Sequence, residues 1–192
     1  MPVLATLAAG LAWLAFAPPT ADVAAHDFRA WLWDTEGFTG GNPRWFGGHH
    51  VPGYSLFFPP LAGALGARPA IVAAGVFAAT AVAVLTARRE LLGSRPSNSD
   101  LGAPTPRLAT AAVDTSGLAV MWVAVAGVAA SMVVGRGPFL LGVGFGVLAL
   151  VGRRWAPAAA LACVWSSPVA GLFLLVCACA LPLRRAAAVG LP

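Results

Sequence analysis

Two clusters in the first third of the chain carry residue types able to do chemistry. The first is His26-Asp27-Phe28-Arg29. A carboxylate such as Asp27 can serve as a general base, and the planar fork of Arg29 suits a phosphate or carboxylate. The plainer reading is an Asp27–Arg29 ion pair or a solvated acid. The second cluster is Trp45-Phe46-Gly47-Gly48-His49-His50-Val51-Pro52-Gly53-Tyr54-Ser55. Adjacent histidines diverge on helix or strand, whereas ligand pairs are usually spaced i, i+4, so no metal site is expected. His49 or His50 hydrogen-bonding a substrate or Asp27 is the reading retained, with Tyr54 beside them. Arg136, in Gly135-Arg136-Gly137-Pro138, and Ser166-Ser167, before Pro168, complete the candidate binding residues.

These few polar residues stand out because the chain around them is apolar. Of 192 residues, 59% are hydrophobic and 10% charged, against about a quarter charged in soluble domains. That excludes disorder and a water-soluble enzyme core. A bilayer crossing takes about 20 apolar residues, and the expectation is an all-α, polytopic membrane protein with about five or six short spans. Residues 3–17 form the first span, closed by Pro18-Pro19, and residues 20–60 a long extracytoplasmic amphipathic loop with three tryptophans and the only tyrosine. Spans follow at 70–87, 116–134 and 138–152, with a cytoplasmic loop at 88–110. The last apolar stretch is broken before Pro168, which disfavours helix in the preceding residue, giving a short hairpin of 156–165 and 168–183.

Charge orients this arrangement. The basic residues are twelve arginines and no lysine, with a net charge of +5. Placing the Arg88-Arg89 pair in the cytoplasm puts eight arginines inside (Arg88, Arg89, Arg95, Arg107, Arg153, Arg154, Arg184, Arg185). Four are outside (Arg29, Arg44, Arg68, Arg136) and balance Asp22, Asp27, Asp34 and Glu36. Topology thus accounts for the positive balance, and pairs beside apolar runs do not form a nucleic-acid stripe. The expected location is a bacterial plasma membrane, and any site is expected on the outer face.

Three further patterns have plain readings. Cys163, Cys177 and Cys179 read as small apolar residues. Gly142, Gly144 and Gly146 lack the strand and βαβ context of a nucleotide loop and read as points of close helix approach. Asp114 reads as interfacial.

The segment His26 to Leu61 resembles the N-terminal part of polytopic membrane glycosyltransferases of the C superfamily. It carries a first helix, an outer-loop Asp soon after it, a His-rich Gly-Tyr stretch and the Phe57-Phe58-Pro59-Pro60-Leu61 re-entry. The resemblance implies a polyprenyl-phosphate-sugar donor and inverting hexosyl or pentosyl transfer, with Asp27 as base. It further implies His49 or His50 lining the donor or acceptor site and Arg136 on the lipid phosphate. Two departures are clear: family members have about twice the helices, and no second acid adjoins Asp27. An N-terminal part of an enzyme, or a short, inactive relative, is therefore expected. The competing reading is a non-catalytic membrane protein that binds a lipid or protein partner through its aromatic outer loop.

Overall fold

The computed structural model describes residues 1–44, 51–52, 55–93, 115–152 and 154–188. Among them are eight helices: α1 (Pro2–Phe16), α2 (Ala21–Glu36), α3 (Phe58–Leu65), α4 (Ala67–Gly93), α5 (Thr115–Val134), α6 (Gly137–Val151), α7 (Ala156–Ser166) and α8 (Pro168–Ala188). A minimal antiparallel ribbon pairs β1 (Gly41–Asn42) with β2 (Val51–Pro52). The fold is all-α. Proline occupies the first turn of α1, α3, α6 and α7, where its missing N–H would lack a helical partner anyway. Much of the expected outer loop, 20–60, is in fact helix α2. Its apolar residues recur at helical spacing among charged ones, a pattern that forms a stable helix once one face is covered.

The core centres on α4, which packs on α1, α3, α5 and α6. Small residues bring the helices together. Gly10 of α1 lies against Val72, Gly75 of α4 against Met132 of α5, and Gly144 of α6 against the Phe77 ring. Gly142 meets Cys163, Ser167 and Ala170, while Gly146, one turn on, meets Cys163 and Leu174. Along α6 the α8 partner therefore rises from 170 to 174 as the α7 contacts shift away from 167. So α7 and α8 run in opposite directions about the Ser167-Pro168 break.

The bundle has two distinct ends. At one end the Arg88 guanidinium donates to the Val151 carbonyl at 3.2 Å, joining the last turns of α4 and α6. Nearby, the Thr86 hydroxyl sits 3.1 Å from Met121 Sδ, near the start of α5. At the other end α2 and α3 cover the helix termini. Phe58 is buried against Gly137 and Ile71, and the Leu56 N–H donates to the Trp165 carbonyl at 2.8 Å. Helices α4 (Ala67–Arg89) and α5 (Gly117–Val134) are long and apolar enough to cross a membrane. The apolar stretches in α1, α6, α7 and α8 are shorter.

Candidate functional site

Helix α2 has two working faces. Val23, His26 and Ala30 are buried and dock the helix on the bundle. His26 Nε2–H donates to the Gly135 carbonyl at 3.0 Å, and its ring lies 4.7 Å from that of Phe58. Gly135 ends α5 at φ 91°, a left-handed conformation that glycine adopts without steric penalty. A Cβ there would stand 3.2 Å from Asp22, Thr20 and Val23, so glycine also sets how closely α2 can approach. Burial is the main reason that the His26 pKa falls from 6.5 to about 4, assisted by the Arg29 charge. The Gly135 bond and Asp22 act in the opposite direction. His26 is therefore a neutral bolt at pH 7.

The second face of α2 forms the wall of a cavity. Ala25, Phe28, Arg29, Leu32 and Trp33 line it, spaced i, i+3, i+4, i+7 and i+8. Opposite them run Gly37 to Asn42, with Ser55, Leu56 and Pro59 below. The space free of protein atoms is about 760 Å³, the open solvent at its mouth included. Gly37, at φ 73°, turns the chain from α2 into the far wall. That wall is tied back to α2 by an Arg44–Glu36 ion pair, and the Arg44 N–H donates to Asn42 Oδ1 at 2.7 Å within the turn itself. The Ser55 hydroxyl accepts the Phe58 N–H at 3.3 Å, stopping the lower wall at the start of α3. Three aromatic rings, one guanidinium and the Asn42 amide make a surface for an amphipathic ligand with an anionic or polyhydroxylated head.

The residues singled out from sequence fall differently. Arg29 lines the cavity. Asp27 does not: at about 100° per residue it lies about 170° from the middle of the lining arc, on the exposed side of α2. The carboxylate expected as base is thus turned away from the space where a ligand would sit. Arg136 is exposed as the N-cap of α6 and lies outside the cavity wall. Ser166 and Ser167 are buried and serve the backbone. The Ser166 hydroxyl donates to the Ala162 carbonyl at 2.8 Å, and the Ser167 hydroxyl accepts the Ala170 N–H at 3.4 Å. His49, His50 and Tyr54 lie outside the described residues, as does Asp114. Among the described residues no His, Cys, Asp and Glu group could hold a metal ion.

Sequence reasoning passed over Trp33, Phe38, Asn42 and Leu56. The signal for the first was present in the helical spacing of Phe28, Leu32 and Trp33, once residues 21–36 are read as helix. No protein-family model, curated protein or solved structure matches the chain.

Proposed function

We propose that this chain is a multi-pass protein of the bacterial plasma membrane that holds the head of a polyprenyl-phosphate sugar in the α2 cavity. The membrane placement is supported by the two long apolar helices and by large apolar side chains exposed on α1, α5, α7 and α8, among them Leu11, Val123, Leu172 and Phe173. It is also supported by charge. Arg88, Arg89 and Arg154 belong to the end opposite α2, as the positive-inside rule requires of a cytoplasmic face.

One observation carries the ligand reading. The cavity combines Phe28, Trp33 and Phe38 with Arg29, and none of its described lining residues is a carboxylate. An anionic head meets the Arg29 guanidinium there. Sugar transfer needs a base within reach of the acceptor proton, and Asp27 faces the other way, so binding is better supported than transfer by Asp27. The transferase reading keeps one specific support: Asp27 is exposed at the same end of the bundle, accessible to an acceptor from outside.

The test is thermal stabilisation of the detergent-solubilised protein by a short-chain polyprenyl-phosphate sugar, with product formation followed in parallel. Arg29→Gln is expected to weaken binding about tenfold or more, the worth of a charge-assisted hydrogen bond, and Trp33→Ala comparably. Asp27→Asn is expected to bind like the wild type. Loss of binding in Asp27→Asn alone, or product formation that requires Asp27, would favour the transferase.

A further inference from the structure

Among the described residues four buried side-chain polar atoms lack a hydrogen-bond partner: Trp13 Nε1, Thr20 Oγ1, His26 Nδ1 and Arg68 Nη1. They lie along neighbouring stretches of the bundle: Trp13 and Arg68 are in contact, and Thr20 and His26 both lie at Gly135 of the α5–α6 turn. Arg68 Nη2 donates to the Pro18 carbonyl at 2.9 Å, and the guanidinium carbon lies 5.3 Å from the centre of the Trp13 ring. Thr20, two positions beyond Pro18, is the N-cap of α2, yet its hydroxyl caps nothing. Because His26 Nε2 donates to Gly135, its Nδ1 is an acceptor and cannot hold an anion.

The other three atoms are donors: an indole N–H, a guanidinium N–H and a hydroxyl. Leaving such groups buried and unbonded is destabilising. Trp13 is 6% exposed, so bulk water does not satisfy it. Among the described residues Arg68 forms no ion pair. The unpaired first-turn amides of a sixteen-residue helix add positive potential at the same place. Three donors from three chain segments, one of them cationic, match the several oxygens of a tetrahedral oxyanion better than a two-oxygen carboxylate.

We propose that Trp13, Thr20 and Arg68, at the N-terminus of α2, bind a phosphate group. This site lies on a different face of α2 from the cavity that contains Arg29, and it stands whether or not the reading of that cavity holds. The three donor atoms are shielded, but Arg68 and Thr20 as whole residues are only half-buried. The phosphate enters from the exposed edge of Arg68 as that side chain turns. Asp22, the acid in the first turn of α2, opposes it and limits affinity.

The test follows the Trp13 indole N–H by NMR in a phosphate-free detergent, with its signal assigned by its loss in Trp13→Phe. Inorganic phosphate and short-chain phosphatidic acid are titrated separately. A saturable downfield shift is expected, weakened about tenfold or more in Arg68→Gln and unchanged in Arg29→Gln, which separates this site from the cavity. Response to phosphatidic acid alone identifies a lipid headgroup; equal response to inorganic phosphate identifies the free ion; either supports the site. No shift in the wild type with either probe overturns it. If Arg68→Gln does not fold, Thr20→Val takes its place, and a wild-type response in that variant also overturns the proposal.

Discussion

His26 and Gly135 are 109 positions apart and joined by one hydrogen bond of 3.0 Å between an imidazole N–H and a backbone carbonyl. That bond, with Phe58 packed on the ring, fixes the rotation of α2. The rotation in turn decides that Arg29 faces the cavity and Asp27 faces away.

The bolt holds only while His26 is neutral. Its pKa in the folded protein is about 4, below the usual 6.5, so between these values the unfolded chain binds more protons than the folded one. Stability must therefore fall as pH drops from about 6.5 to about 4, by on the order of 3 kcal/mol for this group. Thermal melts across that window are expected to show the decline in the wild type and a flatter profile in His26→Gln. A wild-type melting temperature constant from pH 7 to 4 contradicts the role given to His26.

Two glycines separate conformational need from mere presence. Gly135 combines φ 91° with three atoms at 3.2 Å from a notional Cβ, so Gly135→Ala is expected to destabilise by about 1–3 kcal/mol. Gly127, inside α5, has open space around it, and Gly127→Ala is expected to stabilise by roughly 0.5–1 kcal/mol through helix propensity. Chemical denaturation of both variants checks the pair; equal effects would contradict the account of the α5–α6 turn.

The two-ended arrangement is testable in cells. Single cysteines at Phe38 and Arg154, in a background with Cys163, Cys177 and Cys179 replaced, are expected to react from opposite sides of the membrane. The Phe38 position should label with an impermeant maleimide added outside, and the Arg154 position only after permeabilisation. Labelling of both from outside would overturn the membrane placement.

Much of the helical framework was legible because its signals are local. Pro138 and Pro168 mark helix starts, and Gly135 marks a stop. The site was less legible. Reading residues 20–60 as a loop hid the i, i+3, i+4 stripe of Ala25, Phe28, Arg29, Leu32 and Trp33, because the charged residues between them masked the apolar period. The direction of Asp27 could not be read from spacing at all. It depends on which face of α2 is bolted down, and that follows from a contact with Gly135 more than a hundred residues away. Ser166 and Ser167 illustrate a third cause: hydroxyls beside a proline break suit substrate and backbone equally, and here the helix ends take both.

The central claim is that the α2 cavity holds the head of the lipid-linked ligand, and photocrosslinking tests it most directly. A short-chain polyprenyl phosphate carrying a diazirine next to the phosphate is irradiated with the solubilised protein, and the labelled peptide is mapped by mass spectrometry. The account predicts label within residues 28–42 or 55–59, competed by unlabelled ligand and reduced in Trp33→Ala. Label confined to the exposed apolar faces of α5 and α8, unchanged in Trp33→Ala, would contradict it.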